Sequence, residues 1–174
     1  MIRPVQLTDA PAIARLYNDY IVNTTISFET ERVSAEEIAT RIRKVTSFHT
    51  WLVYEGDSRV VGYAYSSAFR ERRAYRGTVE STIYLEPSAI GRGIGRVLYQ
   101  ALLDAAAAQG YREALGVIAL PNDPSIRLHE RQGFVKVAHL SAIGSKFGRW
   151  IDVGIWQKHL TTAAPSAPNT LEFD

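Results

Sequence analysis

Residues 78–109 read as a strand, a glycine-rich turn and a long helix, and few folds accommodate that run. Thr78, Glu80, Thr82 and Tyr84 share one face against Val79, Ser81, Ile83 and Leu85, the period of two that a strand imposes. From Ile94 the period becomes helical, with Val97, Leu98, Ala101, Leu102 and Ala105 on one stripe and Arg96, Gln100 and Asp104 off it. Gly91, Gly93 and Gly95 lie between the two. Glycine lets backbone approach a ligand, and a helix N-terminus offers free N–H groups and the positive end of a dipole. Leu98 breaks the G-x-G-x-x-G spacing, and no Gly-Lys-Ser/Thr follows, so the dinucleotide fingerprint is poorly matched and the ATP-type P-loop is absent. On residues alone the loop is either a pyrophosphate cradle or an ordinary turn rich in glycine.

With 174 residues, 46% of them hydrophobic and 22% charged, one domain with a sizeable core is expected. A net charge of +2 argues against a nucleic acid or a membrane surface as partner. The lack of cysteine removes thiolate catalysis, disulfides and thiolate-held metals. His49, His139 and His159 show no ligand spacing, and neither an H-E-x-x-H helix nor a G-x-S-x-G elbow is present, so no metal is expected. The first ten residues lack the apolar core of a signal peptide, and no apolar run approaches the roughly 20 residues of a bilayer span. A cytoplasmic protein is expected.

Residues 2–7 suggest a first strand, and Pro11 opens a helix that turns Ile13, Leu16, Tyr17 and Tyr20 inward. Ser34 and Glu37 form a capping box for a second helix ending near Val45. In the polar loop between them, Phe28 is either a plug over the core or part of a pocket wall. Residues 50–54 and 60–68 make a hairpin across Glu55 to Ser58. Arg70, Arg72, Arg73 and Arg76 then form either a solvated loop or an anion site. Residues 112–120 read as a strand, Asp123 caps a short helix with Pro124 first, and Gly133 closes it. Residues 134–143 and 150–157 form a last strand pair turning over Gly144 to Gly148. Strands alternating with helices give a mixed α/β class on a single sheet. One domain is expected over residues 1–160, and a flexible tail over 161–174, where Ala, Pro and Thr dominate.

Leu85, Glu86 and Pro87, followed by Arg92, Gly93, Ile94 and Gly95, resemble the acetyl-CoA loop of the GNAT N-acetyltransferase superfamily. One position departs: Ile90 stands where the family carries Gln or Arg, which leaves backbone amides, with Arg92 or Arg96, to hold phosphate. Further runs are similar, in order and spacing, to the phosphinothricin and methionine sulfoximine N-acetyltransferase branch. They are Tyr17, Asn18 and Ile21, then TISF at 25–28, ESTIY at 80–84, LPNDPSIRLHE at 120–130, and Asp152 through Trp156. The resemblance implies a single mixed, mostly antiparallel sheet flanked by helices, with acetyl-CoA as co-substrate and a homodimeric assembly. It implies cofactor contacts at Ile83, Tyr84, Leu85, Gly91, Arg92, Gly93, Ile94, Gly95, Arg96, Asn122 and Ser125. It implies Glu80 as general base, a backbone N–H near Tyr84 or Leu85 as oxyanion donor, and His129 beside the reacting centre. The amino-acid site it implies is Phe28, Glu29, Arg73, Tyr75, Arg76 and Gly77 together with Glu80.

The residues themselves point the same way. An amine attacks a thioester only when neutral, and an α-amine has a pKa of about 8, so a nearby carboxylate is useful. Glu80 lies on the polar strand face just ahead of the loop, and its alternative is an ion pair with one of the arginines. His129 is either at the reacting centre or a structural histidine. Without cysteine, direct attack in a ternary complex is the expected route. The activity that the resemblance implies is acetyl-CoA-dependent N-acetylation of a small amino-acid analogue, methionine sulfoximine or its sulfone ahead of phosphinothricin. Residues 146–150 (KFGRW) look more like the methionine sulfoximine members. The alternatives are acetylation of peptide N-termini or polyamines, and a CoA-binding protein without turnover.

Overall fold

The computed structural model describes residues 1–160, so the expected tail at 161–174 lies outside the described residues. Seven strands form one sheet in the order β1-β2-β3-β4-β5-β7-β6. They are β1 (Ile2–Pro4), β2 (Trp51–Gly56), β3 (Arg59–Ala68), β4 (Thr78–Leu85), β5 (Glu113–Leu120), β6 (Val135–Lys146) and β7 (Arg149–His159). Every neighbouring pair is antiparallel except β4 and β5. Helices α1 (Ala10–Asn23) and α2 (Ala35–Thr46) cover one face, over Trp51, Val53 and Tyr63. On the other face, α3 (Ile94–Ala108) and α4 (Asp123–Arg131) pack with Val79, Phe134 and Trp156. The mixed, mostly antiparallel sheet flanked by helices is the architecture expected from the sequence.

Local chemistry accounts for the boundaries. Asp57 and Ser58 both hold positive φ, 51° and 58°, so β2 and β3 close through a two-residue turn whose twist matches the strands. The Ser34 hydroxyl accepts the Glu37 N–H at 3.0 Å and caps α2. The Glu37 carboxylate turns forward to Arg41 instead of back to Ser34, so only half of the expected capping box forms. At α4 the cap is Asn122, not Asp123; its side chain accepts the Ser125 N–H at 3.3 Å, and Pro124 stays in the first turn.

Two other expectations need correction. The buried stripe of α3 is Leu98, Tyr99, Leu102, Leu103 and Ala106, whereas Val97 is 49% exposed. Gly95 turns the helix: a Cβ there would lie 3.0 Å from a Leu85 methyl, so this position faces the sheet and rolls Val97 outward. The last hairpin turns only at Phe147 and Gly148, and Gly144 is already paired with Ile151. A bulge between Leu140 and Gly144, with Ala142 at φ 51°, interrupts the alternation that would have marked β6 as continuous.

Candidate active site

The paired length of β4 differs on its two sides. Against β3 it runs the whole way, from Val79 opposite Ala68 to Leu85 opposite Gly62. Against β5 it covers only Thr78 to Glu80, opposite Glu113 to Leu115. Beyond that point the two strands separate. Antiparallel ladders alternate hydrogen-bonded and non-bonded pairs, and the Glu86 N–H donating to the Val61 carbonyl at 2.8 Å sets the phase. Tyr84 therefore pairs its N–H with β3, while Ile83 and Leu85 turn theirs toward the opening. The Leu85 carbonyl accepts the Tyr20 hydroxyl at 2.6 Å.

A cavity of about 500 Å³ fills this opening and reaches both faces of the sheet. On the α1–α2 side its wall includes Tyr17, Ser27, Phe28, Glu29, Tyr65, Glu80 and Thr82. On the α3–α4 side it includes Ser81, Ile83, Asn122 and His129. Alternation along β4 separates the two sets: Glu80 shares its face with Tyr84, which packs on Tyr17 and Tyr20, and Ser81 shares its face with Ile83.

Glu80 is half-buried, and burial raises its carboxyl above the ordinary range. Among the described residues it takes part in no ion pair, so the arginine-paired alternative is not the arrangement found. A carboxylate in this setting gains affinity for a proton, which suits a base working near neutral pH.

His129 is 3% exposed, with Nδ1 2.8 Å from the Ser125 carbonyl oxygen. A carbonyl only accepts, so Nδ1 carries the proton and Nε2 presents a lone pair. Burial lowers its pKa, so the ring is neutral near pH 7. It stands edge-on to Tyr99 and Phe134, with centroids 5.0 and 5.1 Å away. Opposite it, Gly116 leaves the room: a Cβ there would fall 2.4 Å from Nε2. In this tautomer Nε2 can accept a proton but has none to give.

The head of α3 lies against the end of β4, where a Cβ on Gly95 would meet a Leu85 methyl. Gly91 and Gly93 both hold φ of 80°, a conformation that disfavours side chains, and Gly93 is the N-cap of α3. A Cβ at either would have no neighbour within 4 Å, so the space before the helix N-terminus is open. Arg92 and Arg96 are exposed beside it. This cradle fits a pyrophosphate held by backbone N–H groups, as the Ile90 departure requires. Gly95 has another job, since it brings α3 against Leu85 and Leu128.

The arginine loop is placed differently from the other expected residues. Arg73 to Tyr75 form one exposed helical turn, and Arg73, Tyr75, Arg76 and Gly77 do not line the cavity. Arg70 lies over the Phe69 and Tyr75 rings, and the Gly77 carbonyl serves the ladder by accepting the Arg112 N–H. Phe28 and Glu29 do line the cavity, but the Glu29 carboxylate is forked by Arg41 at 2.6 and 3.1 Å and accepts the Tyr17 hydroxyl at 2.9 Å. Tyr17 was legible as an inward helix position, and Tyr65, which also lines the cavity, was not singled out. Arg41, half-buried in the second turn of α2, gave no signal at all.

The amino-terminal 2–155 match the family model described as an acetyltransferase (GNAT) domain. The chain belongs to the GNAT acetyltransferase family. It is 40% identical to a phosphinothricin N-acetyltransferase of Streptomyces viridochromogenes, over 96% of this chain and 91% of the relative. It is 34% identical to an L-methionine sulfoximine/L-methionine sulfone acetyltransferase of Pseudomonas aeruginosa, over 94% and 98% of the two chains. Among solved structures, a GNAT phosphinothricin acetyltransferase from Sinorhizobium meliloti, in complex with acetyl-CoA, superposes with a TM-score of 0.90 at 35% identity. That match covers 96% of this chain and 93% of the other. The family and fold expected from the sequence are those found. Among the described residues, this GNAT chain has no group of three side chains able to hold a metal ion. No described helix is long and apolar enough to cross a membrane.

Proposed function

We propose that this GNAT chain transfers the acetyl group of acetyl-CoA to the α-amine of a small amino-acid analogue. The single observation that carries this reading is the position of Glu80, an unpaired carboxylate at the apex of an opening bordered by outward N–H groups. Acetyl-CoA supplies an activated thioester carbonyl. Glu80 takes a proton from the ammonium form, directly or through water; the neutral nitrogen adds to the thioester carbonyl, and the tetrahedral adduct then collapses with loss of the C–S bond as the nitrogen's second proton passes to the departing thiolate or to water. The Leu85 N–H donates to the carbonyl oxygen as it gains charge. A CoA thiolate, with a pKa of about 8.5 like a simple thiol, needs little help in leaving at neutral pH. His129 in its neutral tautomer therefore serves as an acceptor that orients groups on the α4 side.

Charge in the cavity wall favours a neutral side-chain tip. Among the described residues Glu80 is unpaired, Glu29 already holds Arg41, and no Arg or Lys lines the cavity. A sulfoximine or sulfone meets the hydroxyls of Tyr65 and Thr82, whereas a phosphinate brings an anion beside two carboxylates. In a competition assay we expect methionine sulfoximine and methionine sulfone to be acetylated ahead of phosphinothricin, and peptide N-termini or polyamines hardly at all. A preference for phosphinothricin or for peptides would remove this assignment.

The reading includes a cytoplasmic homodimer acting in detoxification. Val135, Val137, Ile143, Phe147 and Trp150 expose apolar surface along the β6–β7 hairpin, which supports self-association. Light scattering should give twice the 19.4 kDa chain mass; a monomer at micromolar concentration removes the dimer.

A further inference from the structure

The cavity is roofed on its α1–α2 side by residues 26–29, and the roof is fastened by a part of the chain remote in sequence. Lys146 is 4% exposed, and its ammonium donates to the Ser27 carbonyl at 2.5 Å. Two residues earlier on the same strand face, Gly144 receives the ring of Phe28: a Cβ there would lie 2.2 Å from a ring carbon. Within the roof, the Tyr17 hydroxyl lies 2.8 Å from Ser27 Oγ and donates to Glu29, which Arg41 forks from α2. Helices α1 and α2 thus hold the roof from one side, and the end of β6 holds it from the other.

A buried ammonium is costly unless it is hydrogen-bonded. Lys146 has the Ser27 carbonyl, the Phe147 ring at 5.2 Å and the field of Glu29. The Ser27 carbonyl oxygen is the acceptor atom that the ammonium finds. That atom belongs to the roof. None of these contacts touches β4's outward N–H groups or the head of α3.

We propose that Lys146 and Gly144 are positioning residues for the amino-acid substrate, setting the height of Phe28 and Ser27 over the acceptor side of the cavity. The proposal rests on the reading of the α1–α2 face as the side where the amine binds. It makes the last hairpin a determinant of which amino-acid side chains are accepted, without a direct contact to them.

The test uses the full chain with Lys146→Met, Lys146→Arg and Gly144→Ala. Lys146→Met and Gly144→Ala should raise the amino-acid KM about tenfold or more, as small misplacements of a positioning group do, and should narrow the gap between methionine sulfone and bulkier analogues. Acetyl-CoA affinity by calorimetry should stay within about twofold, because the donor side is untouched, and Lys146→Arg should recover most of the KM. Hydrogen exchange at residues 24–33, measured without substrate, should quicken in Lys146→Met. Unchanged exchange overturns the clamp whether or not the parent acetylates any amine. A lowered Tm with unchanged KM and selectivity overturns the role in specificity. Equal losses of acetyl-CoA and amino-acid binding do the same, since they would mark general damage to the fold.

Discussion

Replacing Glu80 with Gln is expected to lower turnover at neutral pH by about 10²-fold or more while acetyl-CoA still binds, the usual scale for loss of a general base. The change keeps shape and removes proton affinity, so it separates chemistry from packing. The pH profile carries a sharper signature. Burial raises the Glu80 pKa, so the parent should lose kcat/KM as pH falls through that raised value, where the base becomes protonated. The variant should lack this limb and keep only the dependence of the amine. Stability moves the other way. A carboxyl with a folded pKa above its unfolded value favours folding at pH below the unfolded pKa and loses that benefit as pH rises through the folded one. At pH 7 the parent bears this penalty, so Glu80→Gln should not lower Tm. Turnover within threefold of the parent would make Glu80 structural.

The second large effect is expected from Gly93→Asp, which should abolish measurable acetyl-CoA binding. Gly93 caps α3 at φ 80°, and a Cβ there has no protein atom within 4 Å, so the new side chain would enter the space where a phosphate meets the helix N–H groups. Asp tolerates a left-handed conformation better than most residues, so the chain should still fold. Its carboxylate would then occupy the anion site itself, satisfying the helix head and repelling pyrophosphate. Calorimetry with acetyl-CoA and a thermal melt separate the two outcomes. A folded variant with parental affinity would remove the cradle.

Both effects concern residues whose environment is local in sequence, and this is where the chain was legible. The change from a period of two to a helical period across Gly91 to Gly95 marks β4, the turn and α3 because each signal lies within a few residues of its consequence. The roll of α3 was not legible, since it depends on Gly95 meeting Leu85 across the turn. Nor was the length of β6, where a bulge resets the alternation at residues 141–143.

The site divides along the same line. Glu80, Phe28, Glu29 and His129 reach the cavity as expected, but which of them is paired depends on distant partners. Arg41 meets Glu29 from 12 residues away, and Lys146 meets Ser27 from 119 residues away. No spacing rule connects such pairs. The arginine loop shows the converse error, because nearness to Glu80 along the chain does not put Arg73 in the wall: each strand residue carries the chain about 3.3 Å further.

The opening between β4 and β5 passes through the sheet, and this separates two sets of groups. The head of α3 and His129 lie toward one face and the roof and the tyrosines toward the other, with the β4 amides at the edge between them. A change confined to the roof touches neither the β4 amides nor the head of α3, so the choice of acceptor can shift while those groups stay as they are.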